Sequence, residues 1–338
     1  MNRHSRNALV TGGTGFLGGR LARRLHAEGW RVTVIGRHRA AGHALESSGI
    51  RFIRADLADA AAVDAACRGQ EIIFHSGARS SPWGRYADFY RDNVVATQNI
   101  VAASERGNVS RLVHVSTPSI YFNFADCLNI SETQPPPAKL ANHYVRTKLI
   151  AEATVDAATA RGLAAVTLRP RAIFGPGDTT LFPRLIRAHG AHGFPLIGDG
   201  DPLMDITFVE NVVDALLLAA DAPTSALGKK FNVTNGEPWL RSKLLVTLFA
   251  EIGQTLKTRR VNYHLAQCAA ALLENLSHVF TLARWEPPLT RYTVGVLAKS
   301  QTLDISASRS VLGYKPRVSV ADGLHAFGVW WKEKIHEA

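Results

Sequence analysis

Residues 8–18 read Ala8-Leu9-Val10-Thr11-Gly12-Gly13-Thr14-Gly15-Phe16-Leu17-Gly18, and this stretch decides the fold. A short apolar run enters a glycine loop, and an amphipathic segment, Phe16–Glu28, leaves it and stops at Gly29. Gly12, Gly15 and Gly18 let the backbone turn sharply and come close to a pyrophosphate. The helix that follows offers free N–H groups and the positive end of its dipole to the phosphates. Thr14, Phe16 and Leu17 complete the candidate loop. Glycines at this spacing carry little weight alone; a first strand before them and a helix after them supply it.

Outward from the loop, short apolar runs alternate with helical patterns. Arg31–Ile35, Phe52–Ala55, Glu71–His75, Arg111–Ser116 and Ala164–Arg169 read as strands. Ala60–Cys67, Asn93–Arg106 and His143–Ala160 read as the helices between them, with Gly107 and Gly162 closing the last two. Such alternation implies an α/β fold, a Rossmann doubly wound parallel sheet. After Pro170 the pattern changes to Gly/Pro loops, with helices at Asn211–Ala220 and Ser242–Ile252 and a strand at Lys230–Val233. The expected division is a dinucleotide-binding domain over 1–175, with strands returning to it from the later chain, and a smaller C-terminal substrate lobe over 176–338.

The end of the second strand bears on the cofactor. An NAD site usually carries an acid there for the ribose hydroxyls. Here the residues are Ile35-Gly36-Arg37-His38-Arg39, and Arg37 suits a 2′-phosphate. NADP(H) is therefore favoured, with NAD(H) left open. Asp56 and Leu57, after the third strand, are candidate adenine contacts, although Asp56 also suits a turn or helix cap. Ser76, Gly77 and Ala78, after the fourth, are small enough for a cofactor to cross the strand ends.

Tyr144 and Lys148 stand four apart on one helical face. An ammonium beside a phenol favours the phenolate, so Tyr144 is expected to exchange a proton with a substrate oxygen while a nicotinamide exchanges hydride. Ser116 and Thr117, at the end of the preceding strand, offer a hydroxyl to polarise that oxygen. Either can be the one that points at substrate.

These features together resemble the extended short-chain dehydrogenase/reductases, through TGGTGFLG at residues 11–18, STPSIY at 116–121 and YVRTK at 144–148. Further stretches, ARSSPWG, LRPRAIFGPGD, DITFVENVVDA and EPPLTRY, are similar to the 3β-hydroxysteroid dehydrogenase branch, with its sterol-4-carboxylate 3-dehydrogenases and bacterial 2-alkyl-3-oxoalkanoate reductases. The resemblance implies Thr117 as hydroxyl partner, Tyr144 as acid/base and Lys148 as its support. It also implies Asn93 near the nicotinamide, and Pro170 and Ile173 lining its pocket. The implied activity is an NAD(P)-dependent interconversion of 3-keto and 3-hydroxy groups on an apolar substrate, a sterol or a 2-alkyl-3-oxo acid. A homodimer through the long catalytic helices is implied as well. Two other readings compete. A nucleotide-sugar epimerase or dehydratase shares the fold, but Pro118-Ser119 supply no acid for dehydration. A non-catalytic NADP-sensing protein would not need Tyr144 and Lys148 intact.

Arg79 and Trp83 are candidate substrate contacts, Arg79 having surface pairing as its alternative. Tyr263–Leu282 carries Leu265, Ala269, Leu272, Leu276, Val279 and Phe280 near helical spacing. It is expected to pack on the second lobe, or else to serve as a lid or as a peripheral membrane contact. The chain has 338 residues, 46% hydrophobic and 20% charged, which is ordinary globular composition. Its net charge of +11 is dispersed, with no basic/aromatic array for nucleic acid. Three scattered cysteines suggest neither disulfides nor a metal site. Met1 to Asn7 is polar and leads directly into the first strand, so a cytoplasmic location is expected.

Overall fold

The computed structural model describes residues 6–336. Its centre is a seven-stranded sheet made of β1 (Asn7–Thr11), β2 (Arg31–Gly36), β3 (Arg51–Arg54), β4 (Ile72–His75), β5 (Arg111–Val115), β6 (Ala165–Pro170) and β7 (Lys230–Val233). The spatial order is β3-β2-β1-β4-β5-β6-β7, and every pairing is parallel. Parallel strands are covered on both faces, which is why Ile72-Ile73-Phe74 is apolar without alternation and wholly buried. Leu21, Leu25, Val212 and Leu216 cover one face, and Val63, Ile100 and Val155 the other.

Strand order reverses between β1 and β4, where Thr11 lies opposite His75. A ligand crevice opens at such a point, outside the carboxyl ends of the strands. β7 comes from far along the chain and sets Val233 opposite Pro170. The helix Val209–Ala220 likewise packs beneath the central sheet. A second core gathers Phe174, Phe182, Phe194, Phe208, Leu248, Phe249 and Phe327.

Two expectations need correction. The helix expected from Asn93 begins at Tyr86, passes through a π turn at Tyr90–Val95 and becomes α-helical at Ala96–Arg106. The wider turn buries three successive residues, Asp92, Asn93 and Val94. The second correction concerns the apolar stripe of the helix Tyr263–Thr281, which does not pack on the lobe. Leu265 is 70% exposed, Leu272 61%, Val279 73% and Phe280 77%. Ala266, Ala270, Glu274 and Ser277 face inward instead. The two alanines allow close approach, and the polar pair is satisfied: Glu274 accepts from the Arg291 backbone N–H and Nε (2.8 and 2.6 Å), while Ser277 Oγ accepts from Trp83 Nε1 (3.0 Å) and donates to the Trp285 carbonyl (2.5 Å).

The helix His143–Ala160 is capped by Asn142, whose side chain accepts from the Val145 N–H at 2.9 Å. It is bolted to β6 by a buried ion pair. Arg169 donates from Nε and Nη2 to the two oxygens of Glu152 (2.9 and 2.5 Å) and from Nη1 to the Tyr121 hydroxyl. Removing one member leaves the other charged and uncompensated. Glu152→Ala should therefore cost about 3–5 kcal/mol in urea unfolding, and Glu152→Leu combined with Arg169→Met should regain most of it. A loss below about 1 kcal/mol, as for an exposed pair, would refute this assignment.

Candidate dinucleotide and catalytic site

The glycine loop is shaped by contacts that no side chain can enter. Gly12 has φ +69°, and a Cβ there would lie 2.7 Å from the Gly77 Cα. A Cβ on Gly18 would lie 2.5 Å from the Gly12 carbonyl oxygen. Gly15 caps the helix Phe16–Ala27 with no side-chain acceptor, and no acid occupies the first turn. The helix start is thus left free for an anion, and the cradle fits a pyrophosphate.

A buried hydrogen-bond chain locks β1 to β4 beneath this loop. Thr97 Oγ1 donates to the Asn93 carbonyl at 2.6 Å, so it accepts from His75 Nε2 at 3.0 Å. His75 Nδ1 then accepts from Thr11 Oγ1 at 2.8 Å, and Thr11 Oγ1 accepts from the Gly77 N–H at 3.0 Å. Burial pushes His75 down to about 3, which keeps the ring neutral as the chain requires. Ser76 Oγ donates to the Thr11 carbonyl at 2.7 Å. The Leu57 side chain packs against Gly77, and its carbonyl accepts from Asn99 at 2.9 Å. Ala78 is exposed.

At the far end of β2, a Cβ on Gly36 would meet Thr14 Oγ1 at 2.8 Å, so Arg37 is the first side chain available beyond that strand. Its guanidinium meets Asp92 at 3.2 Å and Asp56 at 3.7 Å. Asp92, buried in the π turn, also accepts from Arg79 Nε at 3.1 Å, while Asp56 pairs with Arg91. Arg79 is therefore held by a carboxylate of the protein. Asp56 also accepts from the Ala58 N–H at 2.9 Å, as a turn aspartate does. Sequence reasoning missed Asp92, since only the π turn brings it inward.

Asn93 uses its whole amide. Oδ1 accepts from the Arg79 N–H at 2.7 Å, and Nδ2 donates to the Arg79 carbonyl at 3.2 Å and to Thr147 Oγ1 at 3.0 Å. It staples the loop after β4 to the helix turn between Tyr144 and Lys148. Trp83, further along that loop, is tied to the helix Tyr263–Thr281 through Ser277 and lies edge-on to His278 at 4.8 Å.

Tyr144, Lys148 and Thr117 converge at the end of β5. The Ser119 N–H donates to Thr117 Oγ1 at 3.2 Å, and the Thr117 side chain lies near enough to the Tyr144 phenol to favour its ionised form. Ser116 Oγ is buried without a hydrogen-bond partner among the described residues, and of the two hydroxyls only Thr117 acts on the phenol. Lys148 Nζ donates to the Val115 carbonyl at 2.7 Å. Burial brings Lys148 down to about 8, opposed by Glu152 one turn away. Tyr144 is pushed up to about 12 by burial, which outweighs the opposing effect of Thr117. The sequence reading has Lys148 lowering this phenol; in the folded protein desolvation dominates, and the neutral phenol is the resting form. Pro170 ends β6, and Ile173 pairs with Thr207 just beyond it.

Two more groups lie here: Tyr292, which was not singled out from sequence, and Arg171, for which the sequence offers structural pairing or substrate binding. Tyr292, on the helix Arg291–Ala298, donates to Ser119 Oγ at 2.9 Å and acts electrostatically on Tyr144. It closes the EPPLTRY stretch, which gave a resemblance but no chemical role. Arg171, directly after Pro170, is 6% exposed.

The profile of the NAD dependent epimerase/dehydratase family matches residues 8–234. The chain is 37% identical over 322 residues to the 2-alkyl-3-oxoalkanoate reductase of Stenotrophomonas maltophilia (strain K279a), covering 94% of this chain and 96% of that protein. It is 30% identical over 329 residues to the decarboxylating sterol-4-alpha-carboxylate 3-dehydrogenase of Mus musculus, covering 95% and 89%. Among solved structures, MoeE5 in complex with UDP-glucose and NAD matches with a TM-score of 0.75 at 27% identity, over 97% of this chain and 99% of that chain.

Proposed function

This chain belongs to the NAD-dependent epimerase/dehydratase family, the extended short-chain dehydrogenase/reductases, and from that premise we propose that it interconverts a 3-keto and a 3-hydroxy group on an apolar substrate. It is an NAD(P)-dependent oxidoreductase, and the relatives named above supply the substrate range: a sterol ring system or a 2-alkyl-3-oxo chain. The reading is carried by Thr117 and the buried Lys148, whose Nζ reaches the Val115 carbonyl, at the end of β5, with Tyr144 one helical turn before Lys148, on the same edge of the sheet as the glycine cradle. When bound there, the nicotinamide supplies or accepts the hydride.

The protein's own part is proton transfer and orientation. In reduction, Tyr144 gives its phenolic proton to the carbonyl oxygen as the carbon takes hydride. Thr117 holds that oxygen, and Lys148 stabilises the phenolate left behind. The epimerase reading has no specific observation in its favour beyond the shared fold, and the intact Tyr144 and Lys148 speak against a mere NADP sensor. Tyr144→Phe should lower kcat by at least about 100-fold with NADPH affinity unchanged in fluorescence titration, since it removes the general acid alone. Retained turnover would remove the role.

NADP(H) preference rests on Arg37 and on the absence of an acid at the end of β2. Asp56 and Asp92 hold the guanidinium where a 2′-phosphate would compete for it. Arg37→Ala should weaken NADPH by about 10–100-fold and NADH little, the range for a lost charge-assisted contact. Equal weakening of both cofactors would exclude a phosphate contact.

The outward apolar face of Tyr263–Thr281 supports a peripheral membrane contact for collecting an oily substrate, and the net charge of +11 favours anionic lipid. No helix among the described residues is long and apolar enough to cross a membrane. The protein should co-sediment with phosphatidylglycerol vesicles at low salt, and Val279→Asp with Phe280→Asp should leave it in the supernatant. Equal sedimentation of both proteins, or none by the wild type, contradicts the contact.

A further inference from the structure

Arg171 is a buried cation that the hydride-transfer scheme does not use. It is 6% exposed, and its Nε has no hydrogen-bond partner. A guanidinium has five N–H donors and remains charged inside proteins, so a buried one ordinarily meets a carboxylate in a two-toothed pair. Arg169, two residues earlier, has such a pair with Glu152. Arg171 has none: among the described residues no carboxylate reaches ion-pair distance. Asp205 attracts it only from further away, while spending one oxygen on the Leu303 N–H at 2.7 Å and leaving the other without a partner.

Position gives the lone charge a meaning. Arg171 follows Pro170, at the carboxyl edge of the sheet where Thr117 and the glycine loop also lie. Tyr292 interacts electrostatically with both the Arg171 guanidinium and the Tyr144 phenol, and its hydroxyl bonds Ser119, whose N–H in turn positions Thr117. The cation thus lies on the same side of the sheet as the proton donor, with the Tyr292 hydroxyl bonded to the Ser119 that positions Thr117. A charge held there without a counter-ion is costly to fold around, and a ligand anion that completes it recovers that cost on binding.

We propose that Arg171 binds a carboxylate of the substrate, with Tyr292 between that carboxylate and the reacting oxygen. This rests on the ketoreductase reading and narrows it. The substrate is an acid whose carboxylate lies close to the carbon that changes oxidation state, a 3-oxo or 3-hydroxy acid, and neutral ketones of the same bulk are poor substrates. Arg79, the other candidate for an acidic group, is already occupied by Asp92.

The test uses a stable 2-alkyl-3-hydroxy acid and its methyl ester, each oxidised by the full-length enzyme with NADP+. Wild type should prefer the acid by about 100-fold in kcat/KM, the scale of a lost buried charge pair. Arg171→Gln should bring the acid-to-ester ratio near one, chiefly through KM for the acid, and Arg171→Lys should restore part of it. The acid should raise the Tm of wild type and not that of Arg171→Gln, a readout independent of turnover. If Arg171→Gln lowers both substrates equally and Asp205→Asn reproduces its loss of Tm, the residue is structural and the assignment is overturned. If wild type uses ester and acid alike, the carboxylate site falls while the ketoreductase stands. Failure to use either one removes both.

Discussion

The bidentate pair between Glu152 and Arg169 is the constraint on which the site depends. Glu152 lies one helical turn beyond Lys148, and Arg169 lies just before Pro170 and Arg171. One buried contact therefore sets the helix face that carries Lys148 against the strand end that carries the lone guanidinium. Its two parallel hydrogen bonds allow little rotation or slip between helix and sheet. The pair also raises the positive charge of Lys148 against the pull of burial, so structure and electrostatics share one carboxylate.

Around this pair, the ionisable groups divide by what surrounds them. His75 and His114 are buried and driven neutral, with Lys148 adding repulsion. Tyr144 is held protonated, and Lys148 is brought down to about 8, still largely charged at neutral pH. The phenol is moved above its usual value and the ammonium below its own, so burial favours the neutral form of each. Low polarity at the strand ends produces both shifts without any special ligand.

Local signals account for what was legible in the sequence. Ala60–Cys67, His143–Ala160 and Lys230–Val233 have the boundaries that periodicity and glycine stops predict, because caps and turns are encoded within a few residues. The π turn at Tyr90–Val95 was not legible, since an inserted residue breaks the period that would announce it. Asp92 stayed hidden for the same reason. The helix Tyr263–Thr281 was read with its faces exchanged: hydropathy alone points its leucines inward, whereas Glu274 and Ser277 have partners at Arg291 and Trp83 that only the fold brings near. Tyr292 and Arg171 acquire significance through what lies beside them across the chain, and no spacing rule reaches that far.

The late arrival of β7 bears on how the chain is made. Until residue 233 has been synthesised, β6 is the last strand of a parallel sheet, and its backbone N–H and C=O groups along the free edge have no mate. The same delay leaves Val212 and Leu216 away from the apolar face they later cover. An unpaired, flat, apolar edge is a template for another chain. A nascent or truncated polypeptide ending between residues 170 and 230 would thus carry a complete glycine loop and the helix bearing Tyr144 and Lys148, yet be prone to aggregate, so that the arrival of β7 also protects the growing chain.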